Sequence, residues 1–246
     1  MTSPSPTLEI KNVSVSYDTV NNVISDISLN TDAGEFFGLI GLNGAGKTTL
    51  IKAILGLRSQ SEGEISIFGQ ECTHATSKQN LAFLPERFEP PWFLTGLEFL
   101  HFSLKLYGEK GSDELFYEYA EKLALDKNAL KRRVQTYSKG MRQKLGLLGT
   151  VLTNCKLLIL DEPMSGLDPR ARTLVKDMLM NLKSEGRTIF LSSHILADMD
   201  EICDKVAVLH DGKIQFTGKP AELKKQTKSE NLERAFLHFI EKPKAA

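Results

Sequence analysis

The sequence predicts an α/β fold with a mostly parallel sheet, because short apolar strands alternate with amphipathic helical patterns. The run at 36–40 (FFGLI) is apolar on every residue, and the runs at 156–160 and 188–191 resemble it. Such runs are typical of strands that helices cover on both faces. Helical patterns lie at 48–56 and at 169–185. Strands that alternate with helices in this way indicate a parallel sheet.

The N-terminal segment predicts antiparallel strands instead. Apolar and polar residues alternate between Leu8 and Leu29, for example at Ile10, Val13 and Val15, which is the period of half-buried strands. We therefore expect an N-terminal antiparallel β subdomain. Residues 1–7 contain serine, threonine and proline but no basic segment followed by an apolar run. We expect a short flexible tail there and no secretory signal.

The middle third predicts helices and no convincing strand between residues 95 and 153. Thr95 and Glu98 have the spacing of a capping box at the start of an apolar stretch. Further helices are expected at about 113–125 and after Ser138. We interpret this segment as a group of helices inserted into the α/β fold.

The domain organisation follows from these patterns and from the length of 246 residues. We expect a single domain over 1–246, with an inserted helical subdomain at approximately 87–153. Near the end of the chain, Asp211-Gly212 lies between two apolar strands and predicts a hairpin turn.

Composition excludes several classes of protein. A hydrophobic fraction of 41% with 31 basic and 31 acidic residues predicts a folded domain without net charge. Zero net charge argues against a dedicated nucleic-acid binder. Cys72, Cys155 and Cys203 form no CxxC pair, which fits neither a disulfide framework nor a zinc site. No window approaches the roughly 18 apolar residues of a membrane-spanning helix.

A phosphate-binding loop is predicted directly after the apolar strand at 36–40. The sequence GLNGAGKT matches G-x-x-x-x-G-K-[ST] between a strand and a helix, which is the context that the motif requires. Glycines let backbone N–H groups surround phosphate oxygens, and the helix N-terminus adds partial positive charge. The lysine would reach the β and γ phosphates, and the threonine after it would bind Mg²⁺. The residues expected to contact nucleotide here are Gly41, Asn43, Gly44, Ala45, Gly46, Lys47, Thr48 and Thr49.

Two adjacent carboxylates, Asp161 and Glu162, follow the buried strand at 157–160. Ligands of α/β folds bind at the carboxyl ends of such strands. Asp161 suits Mg²⁺ held through water, and Glu162 suits the general base that orients the attacking water. An acidic pair after a strand can also be a helix cap, but its pairing with the phosphate loop favours the catalytic interpretation.

The order of six motifs along nearly the whole chain resembles the nucleotide-binding subunit of an ATP-binding cassette (ABC) transporter. They are the phosphate loop at 41–48, Leu84-Pro85-Glu86 at the place of the Q-loop, Tyr137-Ser138-Lys139-Gly140-Met141 at the place of the LSGGQ signature, Asp161-Glu162, the D-loop Ser165-Gly166-Leu167-Asp168, and His194 as the switch histidine.

The resemblance implies an ATPase that uses ATP and Mg²⁺. It places Tyr17 where an aromatic ring stacks on adenine, and it gives Glu86 a role at Mg²⁺ or at the attacking water. His194 would hold the γ-phosphate, and Asp168 would join two subunits. Ser138 and Gly140 of one subunit would close over ATP held by the other.

The partners implied by the resemblance are transmembrane permease subunits and a second ABC subunit, either identical or related. The place of action would be the cytoplasmic face of a bacterial membrane, with no nucleic acid as partner. The signature departs from LSGGQ at Lys139 and Met141, and Glu86 replaces the usual glutamine. Both departures resemble the exporter-type branch of bacterial ABC ATPases.

Two other classes compete with this interpretation. Soluble ABC ATPases that act on ribosomes resemble two fused cassettes, whereas one phosphate loop occurs in this sequence, and those that act on DNA carry a long coiled coil between the motifs. A P-loop kinase or GTPase would leave the signature, the D-loop and His194 without a purpose.

The segment Pro90-Pro91-Trp92-Phe93, together with Phe99 and Phe102, is rich in aromatic residues. These residues fit either a helical core or an exposed groove for a membrane partner.

Overall fold

The computed structural model describes residues 5–17 and 22–240, apart from the side chain of Phe239. The strands are β1 (Leu8–Ser16), β2 (Asn22–Thr31), β3 (Phe36–Ile40), β4 (Glu62–Ile67), β5 (Gln70–Glu71), β6 (Leu81–Leu84), β7 (Leu157–Asp161), β8 (Thr188–Ser193), β9 (Lys205–His210) and β10 (Lys213–Gly218). The α-helices are α1 (Lys47–Ile54), α2 (Gly96–Leu106), α3 (Asp113–Lys122), α4 (Lys127–Leu130), α5 (Lys139–Val151), α6 (Pro169–Ser184), α7 (Leu196–Ile202), α8 (Pro220–Thr227) and α9 (Leu232–Ile240).

The chain forms two compact units, one of residues 1–78 and 188–246 and one of residues 79–187. In the first unit, β1 pairs antiparallel with both β2 and β4, and β5 extends this N-terminal sheet beside β4. The predicted antiparallel strands are therefore present. Leu8, Ile10, Val13 and Val15 of β1 are buried, as the alternation indicates.

The first unit also contains the parallel strands. β3 pairs in parallel with β8 on one side and with β9 on the other, and all of its residues are buried. β9 turns into β10 through Asp211 and Gly212, which both have positive φ, as a tight hairpin requires. The predicted buried strand and hairpin are confirmed.

The second unit combines a parallel strand pair with helices. β6 and β7 pair in parallel, and the described residues between these two strands form helices and no further strand. Thr95 and Glu98 form the predicted capping box at the start of α2. Asp168 caps α6, whose first residue is a proline, as residues 168–169 suggest.

Buried polar contacts fix the two ends of α5 within the second unit. At its start, the hydroxyl of Tyr137 donates to the carbonyl oxygen of Ala129 at 2.6 Å, and burial raises the pKa of Tyr137 to about 12. Beyond its end, Arg187 donates from Nη1 to the oxygen of Val151 at 2.6 Å and from Nε to that of Cys155 at 2.8 Å. Burial lowers the pKa of this guanidinium.

Several elements differ from the sequence expectations. The strands β4, β5 and β6 and the helices α7 to α9 were not predicted. The helix expected at about 113–125 ends at Lys122, and the short helix α4 follows beyond the expected range. Of the expected flexible tail at 1–7, residues 1–4 lie outside the described residues. Thr7 is buried, and its hydroxyl oxygen lies 3.4 Å from that of Thr188. Within the described residues, helices long and apolar enough to span a membrane are absent.

Candidate nucleotide-binding site

The phosphate loop joins β3 to α1 in the first unit and has the backbone that the motif requires. Gly44 and Gly46 have φ values of 84° and 109°, which favour glycine. A Cβ atom at Gly46 would also lie 2.5 Å from Cγ2 of Ile24. Larger residues at this position would therefore both strain the backbone and collide with the N-terminal sheet.

Lys47 places its ammonium group inside this loop. The side chain is only 6% exposed, and Nζ donates to the carbonyl oxygen of Gly41 at 2.7 Å. The N-terminus of α1 has no side-chain cap and no acidic residue in its first turn. A buried ammonium and an uncapped helix N-terminus on one glycine-rich loop are a donor set that fits a phosphate chain.

His194 follows β8 and therefore lies at the same edge of the sheet as the phosphate loop. Ile40 and Ser193, the last residues of β3 and β8, are partners in the parallel register. The loop beginning at Gly41 and the exposed His194 start from these neighbouring strand ends. The structure brings these two predicted features together within the first unit.

Tyr17 lies directly after β1 and beside the first turn of α1. Its hydroxyl oxygen is 3.4 Å from Oγ1 of Thr49, and the residue is 52% exposed. A half-exposed ring next to the phosphate loop can serve as a stacking surface for a base.

The carboxylates of the second unit lie at the ends of its parallel strands. Asp161 is the last residue of β7, and both Asp161 and Glu162 are buried. Glu162 has a φ of 49°, an uncommon conformation for a residue other than glycine, and its carbonyl oxygen accepts from the backbone N–H of Ser165 at 3.0 Å. Glu86 follows β6, whose last residue pairs with Leu160, so it emerges at the same edge.

The signature segment begins α5 in the second unit. Ser138 is the N-cap, and its hydroxyl accepts from the backbone N–H of Met141 at 3.2 Å. A Cβ atom at Gly140 would lie 3.6 Å from Cδ2 of Leu167, so the signature packs against the D-loop. The exposed Asp168 caps α6 by accepting from the N–H of Ala171 at 2.8 Å. Its carboxylate therefore has a structural role within the chain.

Lys139, one of the two residues that depart from LSGGQ, lies along the D-loop. Its Cε would be 3.3 Å from a Cβ atom at Gly166, which has a φ of 73°. A cleft of about 390 Å³ is lined by Lys139 together with Glu86 and Ser165. The second unit thus brings three of the predicted motifs to one cleft, a proximity that the sequence spacing does not reveal.

Each unit contributes oxygen atoms that suit Mg²⁺. Among the described residues, groups of three or more His, Cys, Asp or Glu side chains that could hold a metal ion are absent. Mg²⁺ in nucleotide sites is commonly bound by one or two protein oxygens together with phosphates and water. Oxygen donors of this kind are the hydroxyl of Thr48 in the first unit and, separately, the carboxylates of Asp161 and Glu86 in the second unit.

One residue beside the site was not identified from the sequence. Arg58, after α1, lies over the ring of Tyr17. In the sequence, Arg58 is recognisable only as a basic residue that follows the helix after the phosphate loop.

Comparisons with known proteins identify the relatives of this chain. A family model described as ABC transporter matches residues 24–165. An uncharacterized ABC transporter ATP-binding protein of Synechocystis sp. is 39% identical over 203 residues, which are 81% of this chain and 57% of that protein. A fluoroquinolones export ATP-binding protein of Mycobacterium tuberculosis is 39% identical over 196 residues, which are 78% of this chain and 63% of that protein.

A solved structure of the ATP-binding subunit of an ABC transporter has the same fold. Its TM-score is 0.87 at 32% identity, and the match covers 96% of this chain and 100% of that one. The predicted α/β fold class is therefore confirmed. This chain spans about three fifths of the length of the two relatives from Synechocystis and Mycobacterium.

Proposed function

The chain belongs to the ABC transporter family, and on that premise we propose that it binds and hydrolyses ATP to power transport through separate transmembrane subunits. The observation that carries the proposal is the phosphate loop with Lys47 held inside it at 2.7 Å from the oxygen of Gly41. Charge-assisted hydrogen bonds to phosphate oxygens are strong, and the ammonium of Lys47 already lies inside the loop that would surround them.

The residues of each unit have separate tasks in this proposal. In the first unit, the loop from Gly41 to Thr49 binds the phosphates, Tyr17 stacks on the adenine, and His194 contacts the γ-phosphate. In the second unit, Glu162 orients and deprotonates the attacking water. Mg²⁺, when bound, neutralises charge on the β and γ phosphates, and Thr48, Asp161 and Glu86 are the residues proposed to hold it.

We expect the ATP site to be composite, with Ser138 and Gly140 of one subunit closing over the ATP of another. The first turn of α5 contains Lys139 and no acidic residue. The N-terminus of such a helix favours an anion. In the composite site, this anion would be the γ-phosphate of the ATP held by the second subunit. Hydrolysis should then rise more steeply than linearly with protein concentration.

Ser138→Asp tests the composite site without removing the cap. Aspartate is as good an N-cap as serine, so folding should be retained, but its carboxylate would repel the γ-phosphate. We expect ATPase activity to fall by about tenfold or more, as for a lost contact of about 1.4 kcal/mol. Ser112→Asp is a matched control, because Ser112 caps α3 through the same kind of bond at 3.2 Å. Activity that is linear in protein concentration and unaffected by Ser138→Asp would contradict the composite site.

The proposed partners are membrane subunits that dock on exposed aromatic residues of the second unit. Trp92 is 64% exposed and Phe93 is 56% exposed, whereas Phe99 is buried. Phe99 therefore belongs to the core, and the exposure of Trp92 and Phe93 supports the proposed docking surface. Backbone bonds tie it to the segment before the signature, since Gln135 N donates to the oxygen of Trp92 at 3.2 Å and Val134 N to that of Leu94 at 2.8 Å. Binding at this surface would place the chain on the cytoplasmic face of the membrane.

Co-purification from a detergent extract tests this docking surface. We expect the tagged chain to retain proteins with membrane-spanning helices, identified by mass spectrometry, and Trp92→Ala with Phe93→Ala to release most of them. Leu57→Ala is the control, because Leu57 is a large apolar residue that is 70% exposed but lies in the first unit. Ribosomes or DNA in place of membrane proteins would favour the alternative, a soluble ABC ATPase.

The proposed direction of transport is export. Two observations support it, namely the exporter-like signature and the relative named for fluoroquinolone export.

A further inference from the structure

The ring of Tyr17 is held from two sides within the first unit. Its hydroxyl reaches Oγ1 of Thr49 in the first turn of α1. The guanidinium carbon of Arg58 lies 4.3 Å from the centroid of the ring, which is the distance of a cation–π contact. The ring therefore has a polar contact at its hydroxyl end and a cation over one face.

Arg58 is itself anchored to the strand that carries Tyr17. Its Nη2 donates to the carbonyl oxygen of Ser16, the residue before Tyr17, at 2.6 Å. Arg58 follows α1 closely, and its backbone N–H donates to the carbonyl oxygen of Lys52 in that helix. Arg58 thus links the two elements: its backbone is bonded to α1, and its side chain is bonded to the end of β1.

An aromatic ring has two faces, and the guanidinium covers one of them. A planar base can then stack only on the opposite face, and the orientation of that face is set before the ligand arrives. Fixing a contact residue in its binding orientation reduces the ordering cost of binding. Lysine could supply the charge but not the planar group that stacks on the ring while it donates to a carbonyl.

We propose that Arg58 is a positioning residue for the purine base of the nucleotide, acting through Tyr17. The inference rests on the proposed ATP binding. Arg58 orients the ring, and the ring then discriminates ligands that carry a base from those that carry phosphates alone.

Titration calorimetry with two ligands separates this role from a general structural one. We expect Arg58→Ala to weaken MgATP binding by roughly 2- to 30-fold, the range of a cation–π contact. The affinity for magnesium tripolyphosphate, which has no base, should be unchanged within about twofold of the native value. Arg58→Lys should fall between the native protein and Arg58→Ala for MgATP. Lys11→Ala, at an exposed position on β1, is the control and should bind both ligands normally.

A second pair of variants tests whether Arg58 acts through the ring. In a Tyr17→Ala background, Arg58→Ala should cause no further loss of MgATP affinity, because there is no ring left to orient. An additional loss there, an equal loss for tripolyphosphate, or unchanged MgATP binding by Arg58→Ala would each overturn the inference. If the native protein bound neither ligand, the proposed function itself would be wrong, which is a separate outcome.

Discussion

Lys47→Ala should abolish measurable nucleotide binding while the protein remains folded. The ammonium is buried inside the phosphate loop, and on binding it would exchange the oxygen of Gly41 for β- and γ-phosphate oxygens. Two hydrogen bonds from a charged donor contribute about 3 to 6 kcal/mol in total. Their loss corresponds to a decrease in affinity of about 10² to 10⁴-fold.

Equilibrium titration with MgATP measures this effect, and the thermal unfolding of the unliganded protein reports on folding. Lys52→Ala is the matched control, because Lys52 lies on the same helix but is exposed. It should bind MgATP as the native protein does. A folded Lys47→Ala protein with native affinity would exclude the phosphate loop as the nucleotide site.

Glu162→Gln should stop hydrolysis while leaving ATP bound. Glutamine keeps the size of the side chain but removes its basicity and its negative charge. Loss of a general base costs about 10² to 10⁴ in rate. Because ATP that is not hydrolysed continues to stabilise the closed dimer, dimers should appear at concentrations where the native protein is monomeric.

Size-exclusion chromatography with and without MgATP detects that dimer, and phosphate release measures the rate. Glu185→Gln is the matched control, because it makes the same chemical change at an exposed position of the second unit. It should hydrolyse ATP at the native rate. If Glu162→Gln retained the native rate, the catalytic role would have to be sought elsewhere, with Glu86 as the first residue to test.

The features of the fold that could be predicted are those that residues close together in the sequence determine. The buried strand β3, the capping box of Thr95 and the turn at Asp211-Gly212 each require particular residues at fixed spacing, and the structure contains all three. The strands β5 and β6 are only two and four residues long, so they have no periodicity to detect. They exist because β4 and β7 supply their hydrogen bonds.

The candidate site divides in the same way. The phosphate loop and the acidic pair are contiguous in sequence, so their residues could be named in advance. The contact of Arg58 with Tyr17 and that of Lys139 with Gly166 join segments that are distant along the chain. No spacing rule predicts such pairs, because tertiary packing alone determines them.

The backbone bonds between residues 92–94 and 134–135 have a mechanical consequence. They join the exposed aromatic segment to the 3₁₀ turn at Val134–Thr136, which ends just before the signature segment. Two segments joined by backbone hydrogen bonds tend to move together, since distorting either bond weakens it steeply. A partner that displaced the backbone at Trp92 would therefore also displace residues 134–135, and through them the chain that leads into the signature.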